Sequence, residues 1–156
     1  MRIYLRTALL DDVSFLADVV IRATLAQGRF PSGSDLAAFR SEFEGWTRQT
    51  VMGNIPHCTL SVIEQDGVAI GRLRVLRDGT TITLAGLQLL PEYQNQGIGS
   101  ALVAQLKQEA DRKHLPLRLS VEKDNPNAQR FYKRLGCVIY GEDEQEYHLE
   151  YRPREH

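Results

Sequence analysis

The sequence predicts an α+β fold, with helices on both faces of a mixed, mostly antiparallel central sheet. Three observations carry that prediction. Apolar residues recur at helical spacing in two segments before residue 51. A period of two takes over between residues 58 and 90, with Asp-Gly pairs at its turns. Helical and alternating segments then interleave to the last residues. The predicted order is β-α-α-β-β-β-α-β-α-β-β.

Residues 2–7 alternate through Arg2, Ile3, Tyr4, Leu5 and Arg6 and read as a strand. Asp11 or Asp12 opens a helix that places Leu16, Val19, Val20 and Ala23 on one face. Gly28, Pro31 and Gly33 break the chain into a loop. Ser34 is placed to cap a second helix, whose Leu36, Phe39, Phe43 and Trp46 form an amphipathic stripe. Segments 58–64 and 68–76 are strands joined by Gln65-Asp66-Gly67, and 80–90 is a third, reached through Asp78-Gly79. Both Asp-Gly pairs mark antiparallel hairpins. Pro91 ends this section. A helix over 99–113 turns Leu102, Val103, Leu106 and Ala110 inward, and 117–121 is a short buried strand. Segment 126–135 is a helix stopped by Gly136. Segments 138–140 and 145–152 are strands around an acidic turn. The passage from 80 to 121 is expected to be a right-handed parallel crossover.

A length of 156 residues suits one domain, 1–156, with a single core. A net charge of −1, with acids and bases interspersed, argues against nucleic acid or an anionic membrane as partner. No run approaches the ~20 apolar residues that span a bilayer. Residues 1–12 lack the apolar run and cleavage site of a secretory signal. Cys58 and Cys137 lie far apart and read as reduced, half-buried thiols of a cytoplasmic protein. The four histidines show no HxH or HxxxH pattern, so no metal site is expected.

The segment from Leu87 to Ser100 leaves a strand and enters a helix. Gly97 and Gly99 let backbone N–H groups approach a ligand, and the helix start adds unpaired donors and a positive dipole end. Together these suit a pyrophosphate, and Ser100 adds a hydroxyl. A P-loop needs Lys then Ser or Thr after its last Gly, and a dinucleotide fingerprint needs a third Gly; Gly97-Ile98-Gly99-Ser100-Ala101-Leu102 supplies neither. Two glycines alone also fit a plain Gly-rich helix start.

Gln94-Asn95-Gln96-Gly97-Ile98-Gly99 resembles the Q/R-x-x-G-x-G/A motif of the GNAT superfamily, the GCN5-related N-acetyltransferases, and Leu89-Leu90-Pro91-Glu92-Tyr93 resembles that family's lead-in. The resemblance implies that the backbone of Gln94, Asn95, Gln96, Gly97, Ile98, Gly99 and Ser100 binds the pyrophosphate of coenzyme A. It also implies that Leu87 and Leu89 pair with the pantetheine arm as an added strand would.

A second signature follows. Asn125-Pro126-Asn127-Ala128-Gln129-Arg130-Phe131-Tyr132-Lys133-Arg134-Leu135-Gly136-Cys137 resembles the family's NxxAxxxYxxxGF. Asn125 is placed to cap and Pro126 suits the first helical position. Asn125, Ala128 and Tyr132 share one face, and Phe131 and Leu135 another, assigned to the core. By resemblance, Asn125 and Ala128 contact the cofactor, and Tyr132 is the general acid that protonates the departing thiolate. The resemblance also implies that the backbone N–H of Leu89 donates to the thioester carbonyl. Cys137 stands where the family usually has Phe, a departure that touches packing alone.

The function these motifs imply is transfer of an acetyl group from acetyl-CoA, the co-substrate, to a primary amine by direct attack. The one cysteine of the two motifs, Cys137, stands at the packing position usual for Phe, so a covalent acyl-enzyme is not expected. Many family members carry a Glu on the strand equivalent to 80–90, and this chain does not. His148, Glu150, Glu64 and Glu92 are alternative bases, beside a water relay. The acceptor, a small molecule or a peptide amine, is expected near the loop 26–34, the second helix and the turn 141–146. The acids Glu142, Asp143, Glu144 and Glu146 would favour a cationic amine there. The rival reading is an acyl-CoA-binding module without catalysis. The resemblance also implies a homodimer, for which the last strand edges or the apolar face of the second helix would serve.

Overall fold

In the computed structural model, residues 2–154 are described. Met1, Glu155 and His156, at the ends of the expected domain, lie outside the described residues. The chain runs β1 (Ile3–Thr7), a 3-10 turn (Leu10–Asp12), α1 (Val13–Ala26), α2 (Leu36–Val51), β2 (Cys58–Gln65), β3 (Val68–Arg77) and β4 (Ile82–Leu89). It continues through a second 3-10 turn (Pro91–Tyr93), α3 (Ile98–Lys113), β5 (Leu117–Glu122), α4 (Pro126–Arg134), β6 (Val138–Glu142) and β7 (Glu146–Tyr151). The strands form one sheet in the order β1-β2-β3-β4-β5-β7-β6. This is the predicted α+β order, with β4 and β5 parallel. The chain divides into two compact units. The first is made of residues up to Arg74 with Gly86–Ile98, the second of Val75–Ala85 with the residues from Gly99 on. Strands β3 and β4 contribute to both.

In the first unit, β1 pairs antiparallel with β2 from Ile3–Gln65 to Thr7–Ser61. The Arg6 guanidinium forks onto Asp12 at 2.9 and 3.0 Å and reaches Glu64 at 3.3 Å. That hydrogen-bonded pair holds the Asp12 carboxyl below its ordinary range. Asp12 also accepts from the Leu9 N–H at 2.7 Å, so its carboxylate closes the turn before α1. It therefore does not cap α1 by a side-chain hydrogen bond, as expected of it. Leu16, Ala17, Val19, Val20 and Ala23 of α1 are buried, as the apolar face predicted. α2 is capped by Asp35, whose Oδ1 accepts from Ala38 N–H at 3.0 Å. Ser34, the expected cap, instead donates its hydroxyl to the Pro31 carbonyl at 2.5 Å.

The aromatic stripe of α2 does not sink into the core. Phe39 and Phe43 stack at 6.0 Å, but Trp46 is 60% exposed, and the buried residues of α2 are Thr47 and Thr50. Each threonine returns its hydroxyl to the carbonyl one turn back, Phe43 at 2.8 Å and Trp46 at 3.2 Å. The stripe lines a cavity described below.

Where β3 meets β4, a Cβ built on Gly71 would lie 2.6 Å from the Gln88 carbonyl oxygen and 2.8 Å from the Leu89 side chain. Only a residue without a side chain permits that approach.

In the second unit, β4 pairs with β5 at Ile82–Leu117 and Thr83–Arg118. β5 pairs antiparallel with β7 from Leu117–Tyr151 to Glu122–Glu146. β6 joins β7 with an irregularity between Ile139 and Gly141. Leu102, Val103, Leu106 and Ala110 of α3 are buried, as predicted. The outer side of α3 is fastened by polar contacts. Arg77 holds Glu109 in two hydrogen bonds at 2.7 and 2.9 Å, Tyr151 donates its hydroxyl to Asp111 at 2.9 Å, and Lys107 donates to the Leu135 carbonyl at 2.7 Å.

Two outcomes are expected. Gly71→Ala lowers unfolding free energy by roughly 1–3 kcal/mol in urea denaturation, because the backbone must open to admit the methyl group. The second concerns Glu109, whose carboxyl the Arg77 hydrogen bonds bring from 4.5 down to about 2. A depressed carboxylate stabilises the fold above its unfolded value and loses that contribution as pH falls through the folded one. The stability gap between wild type and Glu109→Gln should therefore be full above pH 4.5 and close as pH falls toward about 2, read from denaturation midpoints across that range.

Candidate active site

The strand-to-helix turn is built by its own side chains. Gln94 folds back and donates its amide to the carbonyl of Leu89 at 3.0 Å, clamping the turn to the last residue of β4. Gln96 donates to the Glu92 carbonyl at 3.2 Å. Asn95 and Gly97 adopt left-handed backbone angles, φ 60° and 80°. No neighbour lies within 4 Å of a Cβ built on Gly97, so its backbone angle is what calls for glycine. Ile98, 1% exposed, anchors the first residue of α3, and the half-buried Gly99 and Ser100 follow in its first turn. The exposed backbone of residues 95–97 therefore leads directly into the unpaired N–H groups of a helix start, an arrangement that suits a pyrophosphate. Leu87 and Leu89 are half-buried on β4 just before it.

Asn125 caps α4, its side-chain oxygen accepting from Ala128 N–H at 3.2 Å, and Pro126 occupies the first turn. Gln129 donates to the carbonyls of Glu122 and Lys123 at 3.3 and 3.1 Å, holding the preceding loop. Tyr132 is half-buried and meets Phe131 edge to face at 4.9 Å. Burial, with a smaller effect from the Cys137 thiol, raises the Tyr132 pKa, so the phenol stays protonated. Phe131 and Leu135, assigned to the core, are only half-buried, and no residue of α4 is fully buried. Cys137, in the place usual for Phe, is 2% exposed, and burial pushes its thiol up.

The expected alternative bases are largely engaged. Glu64 pairs with Arg6, and Glu92 with Arg22 at 2.9 Å. Glu150, 5% exposed, accepts from Arg118 at 3.1 Å and Arg152 at 2.7 Å. His148 lies between Ser120 Oγ, 2.8 Å from Nδ1, and Asp143, 3.3 Å from Nε2. The acidic turn spends its charge locally. Glu142 pairs with Lys123 at 2.8 Å, and Asp143 accepts from the backbone of Gln145 and Glu146. Of the loop before α2, Phe30 meets Phe39 edge to face at 5.1 Å.

One group escaped the sequence reading. Arg72 of β3 is 9% exposed, yet it carries a full guanidinium into the first unit. It donates to Gln88 Oε1 at 2.9 Å, lies 5.1 Å over the Phe43 ring, and leaves Nε buried without a partner. Arg74, on the same face of β3, lies 5.6 Å over Trp46. Burial, then the charge of Arg74, pulls the Arg72 pKa down to about 10, still protonated at neutral pH. These residues and the α2 stripe line a cavity of about 250 Å³. The signal was present in Gly71-Arg72-Leu73-Arg74, two charges at strand period inside an apolar strand. Among the described residues no three His, Cys, Asp or Glu side chains gather as a metal site, and no helix is long and apolar enough to cross a membrane.

The model of the acetyltransferase (GNAT) family matches residues 24–137. Uncharacterized N-acetyltransferases of Mycobacterium tuberculosis and Mycobacterium bovis are each 34% identical over 88 residues, 55% of this chain and 56% of the relative. The chain thus spans about half the length of the curated relatives it matches. In fold, it is similar to the PaiA N-acetyltransferase from Thermoplasma acidophilum in complex with coenzyme A, at a TM-score of 0.80 and 19% identity over 97% of this chain and 99% of that one. It is also similar to the Campylobacter jejuni N-acetyltransferase PseH in complex with acetyl coenzyme A, at a TM-score of 0.66 and 18% identity over 97% and 99%. With the family model covering residues on both sides of the Gln94–Gly99 turn, the chain belongs to the GNAT acetyltransferase family.

Proposed function

We propose that residues 1–156 form a single acyltransferase domain that moves the acetyl group of acetyl-CoA to a primary amine of a small molecule or peptide. The observation that carries this reading is the clamp of Gln94 on Leu89, which joins a strand end to a helix start through left-handed residues exposed to solvent. The bound coenzyme A of PaiA and acetyl coenzyme A of PseH support the choice of co-substrate.

In this mechanism the backbone of residues 94–100 holds the pyrophosphate, and Leu87 and Leu89 align the pantetheine arm. Asn125 and Ala128 contact the same arm. The amine enters uncharged, its proton having passed to water. Its nitrogen lone pair attacks the thioester carbon, and the Leu89 N–H takes the developing oxyanion. The oxyanion re-forms the carbonyl as the C–S bond breaks, its electron pair leaves on sulfur, the Tyr132 hydroxyl protonates the thiolate, and the proton shed by the acylated nitrogen passes through water to restore the phenol. Burial keeps the Tyr132 phenol protonated, the state from which it donates. We assign the enzyme to the cytoplasm and to a homodimer, which sedimentation at working concentration tests.

A specific observation favours a second reading, acyl-CoA binding without transfer. Glu64, Glu92 and Glu150 are all ion-paired, so no carboxylate among the expected bases stands free to deprotonate an amine.

Thiol release from acetyl-CoA across a broad amine panel separates the two. Under the enzyme reading, release occurs with one acceptor class, and Tyr132→Phe lowers kcat by roughly 10²-fold while acetyl-CoA binding by calorimetry persists. Tight binding with no release for any amine would establish the second reading, and no binding would remove both. Asn125→Ala should weaken acetyl-CoA binding and also cost about 1 kcal/mol of folding stability through the lost cap, measured by thermal denaturation.

A further inference from the structure

The Arg72 cavity has the makings of a ligand site, and all of it lies within the first unit. A guanidinium offers five donors. Arg72 commits Nη1 to Gln88, while Nε is fully shielded and has no partner. Neither Arg72 nor Arg74 forms an ion pair among the described residues. Nη2 remains uncommitted, and a nearly buried cation without a counter-charge is costly unless something pairs with it. A carboxylate supplies that charge by accepting from Nη2 in a charge-assisted hydrogen bond. The remaining walls set the rest of the ligand. Phe39, Phe43 and Trp46 from α2 give an apolar, aromatic lining to a cavity of about 250 Å³. Glu42 is the one carboxylate of that lining, against two cations, and it is exposed on α2.

Position along β4 ties this cavity to chemistry. A Cβ on Gly86 would collide with the Arg72 guanidinium, and Gln88 bonds it, so the cation lies over residues 86–88. With a rise of about 3.3 Å per residue, that is within about 10 Å of the Leu89 N–H. A carboxylate seated there would hold an amine a few bonds away within reach of a thioester at Leu89.

We propose that this cavity receives the acetyl acceptor and selects an amine bearing a carboxylate on an apolar or aromatic body, an amino-acid-like acceptor, with Arg72 as the carboxylate's anchor. The inference rests on the reading of β4 as the thioester strand. It replaces the expectation of a cationic acceptor drawn to the acidic turn.

Trp46 is the chain's single tryptophan and lines the cavity, so its fluorescence reports occupancy directly. The experiment titrates wild type with a panel of N-acetylated amino acids, aliphatic and aromatic, and with their amides, which present the same body without the charge. Saturable quenching by at least one acid, weakened at least about tenfold in its amide, is expected. Arg72→Gln should remove that preference. Equal response to acid and amide, saturable response to no acid, or a preference that survives in Arg72→Gln would overturn the proposal. The acid–amide comparison in wild type needs no variant and stands even where Arg72→Gln fails to fold. Calorimetry with acetyl-CoA on the same samples reports separately on the acyltransferase reading. Loss of acetyl-CoA binding with acid selectivity intact sinks that reading and, with it, the acceptor role. Absent selectivity with acetyl-CoA bound overturns this inference alone.

Discussion

A side chain at position 71 would have nowhere to go, and much of the first unit follows from that. With no Cβ at Gly71, the Gln88 carbonyl and the Leu89 side chain close in on β3 from one face. On the opposite face, Gly86 leaves room for the guanidinium of Arg72. Two absent side chains, one on each strand, thus hold Leu89 close and let a cation lie inside the sheet's cover. The Leu90 N–H to Ile70 carbonyl bond at 2.9 Å then ends the pairing, and Pro91 starts the turn.

The turn that follows is stiffened from within. In the family motif, Gln94 is expected at the pyrophosphate by its position. In the structure its side-chain amide is spent on Leu89, and the backbone is what remains for a ligand. Asn125 shows the same division of labour, its side-chain oxygen used to start α4. Both motifs therefore place residues whose first task is to fix a local backbone. This is how a short sequence pattern survives as a recognisable signal: its members answer to neighbours within a few residues.

That locality explains what was legible. The hairpin turns at Asp66-Gly67 and Asp78-Gly79, the Pro126 helix start, the Gly136 stop and the inward faces of α1 and α3 all express near-neighbour geometry, and the sequence carries it directly. What it does not carry is the partner of a polar group far along the chain. The sequence offers Asp11 or Asp12 as the start of the first helix, and in the structure the Asp12 carboxylate answers Arg6. Phe131 and Leu135 have core-like chemistry, yet α4 lies too shallow to bury them. The aromatic stripe of α2 reads as core by period alone, and only the three-dimensional neighbourhood of Arg72, sixteen residues from Gln88, turns it into a cavity wall. Glu150, one of the alternative bases by sequence, is held by two arginines, one of them on the neighbouring strand.

The edge strand β1 has a kinetic consequence. Its contact with the far end of β2, Arg2 N–H to Asp66, joins residues 64 apart, with both α1 and α2 in between. The β2–β3 hairpin, by contrast, closes through a turn at Asp66-Gly67 whose two residues already sit in left-handed conformations. Loop closure over so long a span must be met before its contacts return anything, whereas a hairpin forms within microseconds. The hairpin is therefore the template and β1 the latecomer. Until β1 docks, the outer edge of β2, with its buried Leu60, Val62 and Ile63, stands open to other chains. The first strand of the sequence thus serves as the cover for a sheet that was already there.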